Sequence, residues 1–419
     1  MWVILFSDWI YYFMDECQLY STLLELKLPW KVDRVSLDTW KKTVEIYITH
    51  EKGSKLLCPV CKKDCMVYDH LKERSWRDLD SIEFMTFIHA NPPRISCPDH
   101  GIIEAVMPWT EKRSRFSLRF ETRSIRMLQN MDTFNFTGIM NVSWNQAWNI
   151  LERAVKRGMY RKEGHPAVIG IDEKSYRKGH KYITLVYDMV KNGVDYVAFN
   201  REKKSLDEYY KTLTEDQLSS ITAVSMDMWD PFMSSTMKHV PDAGSKIVFD
   251  RFHVMKHVNE AVDSTRKKEN RTLAENGITD LKGTRYIWLY ASENLPDKYR
   301  KQYEELKKSD LLTGKAYSMK ENIRELWNAP SMEDAGKYWE SWYNWVIHSS
   351  IDAMKDVARM MKVHLDRILN YFTHRITNAR AEGINSKIAL IQKMAYGYRN
   401  REHLKTAIYF RCGNLQLYP

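Results

Sequence analysis

Between residues 167 and 250 the apolar positions fall into short β-branched and aromatic runs separated by Gly, Asn and Asp. The runs are Ala167-Val168-Ile169-Gly170-Ile171, Lys181-Tyr182-Ile183-Thr184-Leu185-Val186-Tyr187, Val194-Asp195-Tyr196-Val197-Ala198-Phe199, Ile221-Thr222-Ala223-Val224-Ser225-Met226 and Lys246-Ile247-Val248-Phe249. Runs of this kind predict strands of a buried sheet, with a helix over 205–213 between two of them. Upstream, residues 37–49 alternate as one strand with Val44, Ile46 and Ile48 on one face, and 75–79 with 83–88 read as a hairpin. Helical spacing covers 119–130, 134–141 and 144–157. Beyond a helix starting at 251, no strand pattern returns: 299–308, 319–327, 335–347 and 351–371 are all helical. Trp339, Trp342 and Trp345 read as one stripe, expected to be core rather than a base-stacking platform. A last helix carries Ile384, Ile388 and Ile391 as a packing face, with Glu382 in its first turns.

A chain of 419 residues with 44% hydrophobic content is expected to form two or three units with true cores. The polar stretch Arg161-Lys162-Glu163-Gly164-His165-Pro166 is the natural linker. A formal charge of +10 favours a polyanionic partner. Six cysteines are too few for a disulfide scaffold and point to a reducing compartment. The apolar start, Met1 to Met14, is broken by Asp8, is too short to span a bilayer and lacks a basic leader. It reads as a helix on the first domain or as an upstream start; no membrane partner is expected.

Cys58-Pro59-Val60-Cys61 and Cys97-Pro98-Asp99-His100 are short-loop ligand pairs, and two such pairs suit a closed, structural, tetrahedral zinc site. The expected ligands are Cys58, Cys61, Cys97 and His100. Cys65 is a rival for either first-pair position, and ordinary buried cysteines are the alternative. The 75–88 hairpin between the pairs is expected to carry the ligand loops. Further on, helix, short helix, turn and helix form a helix-turn-helix layout, with Ser143 able to cap the helix that would enter a major groove. Gln146, Asn149, Arg153, Lys156 and Arg157 are expected to face DNA, with Ala147, Ile150, Leu151 and Val155 inward. A helical linker with a solvated charged face is the alternative. Lys112, Arg113, Arg115, Arg119, Arg123 and Arg126 add a basic run suited to phosphates.

Two strands end in Asp172 and Asp227. Carboxylates lifted to neighbouring strand ends can share hard divalent cations, which suggests metal-assisted phosphodiester chemistry. A final helix laid against the sheet would bring Glu382 to the same space. Glu173, Asp188, Asp230 and Asp250 are alternative acids. Arg251 and His253 are placed to contact a phosphate, a core hydrogen bond being the other reading for His253. Lys174, Arg177, Lys178, Arg380, Lys387 and Arg399 are candidates to line a DNA path, and Asn378 and Asn385 to orient Glu382.

This layout resembles the ISL3 family of insertion-sequence transposases, bacterial DDE recombinases with an RNase H-like core. The resemblance runs from about Leu19 to the end. It rests on Ile171-Asp172-Glu173, Ser225-Met226-Asp227-Met228-Trp229, Phe249-Asp250-Arg251-Phe252-His253, Thr377-Asn378-Ala379-Arg380-Ala381-Glu382-Gly383-Ile384-Asn385 and Ala395-Tyr396-Gly397-Tyr398-Arg399-Asn400. It implies a multidomain α/β protein: a zinc-binding domain over 1–110, a helix-turn-helix over 111–163, and an RNase H-like domain over 164–419 interrupted by an all-α insertion at about 272–370. It further implies a catalytic triad of Asp172, Asp227 and Glu382 holding two Mg²⁺ ions, beside a structural Zn²⁺. The implied activity is cleavage and strand transfer at terminal inverted repeats of double-stranded DNA, by a cytoplasmic homodimer associated with the nucleoid when bound. A silent repressor derived from such an enzyme and an RNase H-like nuclease are the alternatives. The one departure is His100, where the family commonly has a cysteine.

Overall fold

The computed structural model describes residues 15–377 and 379–419. The expectations for Met1–Met14 and for Asn378 lie outside them. The chain divides into two units, Met1–Lys162 with Leu415–Pro419, and Glu163–Asn414.

In the first unit β1 (Trp30–Asp38) and β2 (Thr43–His50) form an antiparallel hairpin. The sequence pattern joins these into one strand over 37–49; the structure folds the chain back in the middle. The reason is local: the Asp38 carboxylate accepts the backbone N–H groups of Trp40 and Lys41 at 3.0 and 2.9 Å, and Lys42 takes a left-handed φ of 51°. Val44, Ile46 and Ile48 are buried, as their alternation requires. Next come β3 (Lys55–Leu57), β4 (Asp64–His70), β5 (Arg74–Arg77), β6 (Met85–Ala90), β7 (Pro93–Cys97) and β8 (Gly101–Glu104). They interleave into two four-stranded sheets, β1-β2-β6-β5 and β3-β4-β7-β8. The β5–β6 hairpin forms, but it does not carry the ligand loops. Parallel pairing with β2 draws β6 into the other sheet, and the hairpins β3–β4 and β7–β8 carry them instead.

Three helices follow, Leu118–Asn130, Thr133–Met140 and Trp144–Tyr160, each opened by a side-chain cap from Ser117, Asp132 and Ser143. At the last cap the exchange is reciprocal: Ser143 Oγ accepts from the Gln146 N–H, and Gln146 Oε1 accepts from the Ser143 N–H. Ala147, Ile150, Leu151 and Val155 are buried against the bundle. Arg153 and Arg157, expected outward, turn inward. Arg157 lies 2.9 Å from Glu121 and 2.6 Å from Glu111, and Arg153 pairs with the same two acids at 3.2 and 3.0 Å. Glu121 is only 1% exposed, so its charge depends on these partners. Truncating one member of such a network strands a buried charge. Arg157→Ala is expected to cost about 3–5 kcal/mol, read as a lower urea midpoint for this unit.

The second unit holds a five-stranded sheet of β9 (Val168–Arg177), β10 (Lys181–Asp188), β11 (Gly193–Phe199), β12 (Ala223–Met226) and β13 (Ile247–Phe249). Its order is β11-β10-β9-β12-β13. The first three strands are antiparallel, and β12 and β13 run parallel to β9. This is the RNase H-like arrangement. After β13, all regular elements among the described residues are helical. The insertion shares the sheet's core: Ile169, Val186, Val224 and Ile247 belong to one apolar cluster with Trp288, Trp342 and Met361. Trp339 and Trp342 are buried, but Trp345 is 44% exposed. Six residues along a helix turn the side chain about 120° away from the first, so the third ring leaves the stripe. Lys320, fully buried, donates to the carbonyls of Trp288, Leu289 and Tyr290, tying the insertion's short helix Arg285–Leu289 in place. Helices Ala379–Met394 and Arg401–Cys412 close the unit, with Ile384, Ile388 and Ile391 buried.

Candidate functional site

Cys58 and Cys61 sit on the turn from β3 to β4, and Cys97 and His100 on the turn from β7 to β8. Both turns are tight, with left-handed Lys62 and Gly101. The antiparallel pairing of β4 with β7 brings the two turns together. The four ligand atoms lie within 4.8 Å of one another. Cys61 Sγ is 3.6 Å from Cys97 Sγ, and His100 Nδ1 is 3.5 Å from Cys97 Sγ and 3.8 Å from Cys58 Sγ. A zinc tetrahedron with ordinary Zn–S and Zn–N bonds has edges of about 3.6–3.8 Å, which these three separations match closely, so the quartet suits the ion. A disulfide is excluded by the sulfur separation, and all six cysteines are free. Burial works against ionising Cys97, but the backbone N–H groups of Asp99 and His100 and the neighbouring thiols bring it down to about 7. That favours the thiolate zinc requires. Cys65, on β4, is a neighbour of the cluster but not one of the four converging ligands, and its Sγ is directed at the Lys63 carbonyl at 3.4 Å.

The second cluster follows from strand register. Ile171 on β9 pairs with Met226 on β12, and Met226 pairs with Phe249 on β13. The next residue in each case is an aspartate, so Asp172, Asp227 and Asp250 form a row across three neighbouring strands about 4.8 Å apart. Asp227 and Asp250 follow the ends of β12 and β13, but Asp172, expected at a strand end, lies within β9, which the pairing with β10 extends to Arg177. Asp172 Oδ1 accepts from the Glu173 N–H at 2.7 Å, and its Oδ2 accepts from Asn385 Nδ2 at 2.6 Å. Tyr187, buried beneath, donates its hydroxyl to Asn385 Oδ1 at 2.8 Å. Burial and then the charge of Asp227 push Asp172 up to about 6. His253 Nε2 lies 2.7 Å from Asp227 Oδ1 and 4.0 Å from Asp250 Oδ2. Burial alone would lower the His253 pKa, but the hydrogen bond and charge of Asp227, with Asp250 and Asp172 behind it, raise it.

Glu382 is carried by the helix that Asn385 ties to Asp172. Its carboxylate is on the exposed side, and its charge is among those that, after burial, raise Asp250. Among the described residues the three acids Asp172, Asp227 and Glu382 do not close to the spacing of the Cys/His quartet. Asn385 therefore orients Asp172 and not Glu382, a correction to the sequence reading. Tyr187 gives no sequence signal, because a strand tyrosine with a buried hydroxyl looks like any other. Asp250 was legible as a third apolar run ending in an acid. Its Oδ2 is buried without a hydrogen-bond partner. Three carboxylates with one histidine beside them are over-supplied with negative charge, the donor set a hard divalent cation fits.

The sign of the Asp172 shift makes a prediction. Its folded pKa is raised, so the folded state holds a proton that the unfolded state has lost between about 4 and 6. Stability from this group is greatest below that window and falls as pH rises through it. Asp172→Asn is expected to be more stable than the parent by about 3 kcal/mol at pH 7 in the absence of divalent ions, with the gap closing near pH 4. Thermal melts of both proteins across that range check it.

Of the residues expected to meet DNA, Asn149 and Lys156 are exposed on the Trp144–Tyr160 helix, and Gln146, also exposed, serves the cap. Arg251 is exposed but stacks on Trp327, its guanidinium carbon 5.1 Å from the ring centre. Arg380, exposed, donates through Nη1 to the carbonyls of Met189 and Val190 and so braces the turn after β10. Among the described residues no helix is long and apolar enough to cross a membrane.

Three family models match the chain in succession. Residues 55–100 match the zinc-finger of transposase IS204/IS1001/IS1096/IS1165, and residues 106–155 match the helix-turn-helix domain of transposase family ISL3. Residues 169–408 match the transposase model of the same family. The chain is similar to the transposase for insertion sequence element IS1001 of Bordetella parapertussis, 25% identical over 369 residues covering 86% of this chain and 90% of that one. It is also similar to the transposase for insertion sequence element IS1557 of Mycobacterium tuberculosis, 24% identical over 378 residues and 83% of each chain. With more than half its length under the transposase model, preceded by a zinc finger and a DNA-binding helix-turn-helix in order, the chain belongs to the ISL3 family of DNA transposases.

Proposed function

We propose that this transposase binds the terminal inverted repeats of its own element and cuts and joins DNA with Asp172, Asp227 and Glu382 as the acidic triad. The observation that carries the reading is the juxtaposition of Asp172, within β9, and Asp227, the residue after the end of the parallel neighbour β12, with Asp172 held near 6 by burial and by the charge of Asp227. Asp172 would hold two Mg²⁺ ions in common, with Asp227 and Glu382 taking one each. When bound, such ions stabilise both the attacking and leaving oxygens of an in-line displacement. Asn385 and Tyr187 fix the Asp172 carboxylate, and His253 holds Asp227. Water is the nucleophile in the first step, which frees a 3′-hydroxyl at the element's end. That hydroxyl attacks target DNA in the second, with no covalent enzyme intermediate.

The division of labour is a zinc-binding domain over 1–110, end recognition over 111–163 and catalysis over 164–419. Joining two ends makes a homodimer on DNA the natural assembly, in the bacterial cytoplasm. Incubation of the full chain with Mg²⁺ and a duplex of the element's end, sequenced from DNA flanking the reading frame, tests the reading. Nicked and then joined products are required. Nicking without joining would make the protein an RNase H-like nuclease, and binding without nicking a repressor.

A further inference from the structure

Beside the row of aspartates lies an open cavity of about 650 Å³, within the size range of small-molecule pockets. His180 and Tyr182 on one side and Trp229 on the other line it, with Arg201 and Lys203 between. The Arg201 guanidinium lies 4.5 Å from the Tyr182 ring centre and 4.8 Å from that of Trp229, so it stacks against both. Trp229 is 36% exposed, yet its ring is fixed: one face meets Arg201, and Nε1 donates to the Arg201 carbonyl at 3.3 Å. An aromatic surface held still in this way loses little entropy when something stacks on it. Lys203 Nζ bonds the neutral hydroxyl of Ser234 at 2.8 Å, which leaves its charge available to an anion.

Two contacts tie the cavity to the carboxylates. The Trp229 backbone N–H donates to the Asp227 backbone carbonyl at 2.8 Å, and Arg201 pairs at 2.8 Å with Glu173, the neighbour of Asp172. Glu202 and Asp230 also line the cavity and Arg201 is paired with Glu173, so the cation offered to a phosphate is Lys203. Together with a π surface and the Asn200 amide it is a means by which proteins hold an unpaired base and its phosphate. We infer that this cavity receives one unstacked nucleobase of the DNA strand beside the phosphate being cut, with Trp229 as the stacking platform. The inference rests on the acidic row being where DNA is cut. A base drawn out of the duplex here would anchor the strand so that its backbone lies along the sheet edge.

The test is fluorescence anisotropy with the full chain, in the absence of divalent ions. The probes are a fully paired duplex of the element's end and the same duplex with a short mismatched bubble at the cleavage position. Trp229→Ala is expected to weaken bubble binding roughly five- to a hundredfold while leaving the paired duplex nearly unchanged, and Trp229→Phe is expected to restore it. Equal affinity of Trp229→Ala and the parent for the bubble overturns the inference, as does an equal loss on both probes. Because nothing is cut in this assay, a parent that binds the bubble through Trp229 but never nicks DNA sinks the catalytic reading alone.

Discussion

Asp227→Asn is expected to abolish nicking and joining while leaving binding to the element's ends within a fewfold of the parent. Asn fills the same volume and keeps one oxygen, so the strand end and its neighbours hold their places. What disappears is a full negative charge between Asp172 and Asp250, facing His253 at 2.7 Å. Metal ions clamping a displacement contribute several kcal/mol of transition-state stabilisation, so the loss should be on the order of a thousandfold or more. The helix-turn-helix belongs to the other unit of the chain, with its own buried residues, which is why binding survives. Single-turnover cleavage and gel shift on one end duplex separate the two effects. Strand transfer retained by Asp227→Asn would remove Asp227 from the triad. A parallel loss in Asp250→Asn would add the third aspartate of the row to it.

Removing zinc should have the larger structural effect. The sheet β3-β4-β7-β8 is small, and two of its turns end in ligands that otherwise leave three thiols and an imidazole crowded together. Structural zinc in small domains contributes on the order of 10 kcal/mol or more of folding free energy. Cys97→Ser, or chelation of the parent, is therefore expected to eliminate one unfolding transition and end binding with it. The transition of Glu163–Asn414 should persist, since that unit buries its own continuous core. Differential scanning calorimetry with metal analysis reads both quantities. One zinc per chain and a lost first transition are the expected pair. A Cys97→Ser chain that melts like the parent and still holds zinc would exclude Cys97 as a ligand. Cys65→Ser, by contrast, should keep its zinc, because that thiol is turned to the Lys63 carbonyl.

The chain's linear pattern determined much by itself. Short β-branched runs became strands because they are buried on both faces, and Ser143 with Gln146 opened its helix by local hydrogen bonds alone. The short spacing of each ligand pair is likewise a local property, since a tight turn presents two side chains to one point. What the tertiary structure decided depends on partners far away in sequence. Strand pairing moved the β5–β6 hairpin into the sheet without the ligands, and register lined Asp250 up with Asp172 and Asp227. Burial of Glu121 turned Arg153 and Arg157 inward, where helical periodicity had left them on the outer face. Asn385 went to Asp172 because packing of Ile384 and Ile388 set the rotation of the last helices. Periodicity specifies which face of an element is apolar; only the neighbour it packs against decides which polar side chains on its border meet a partner.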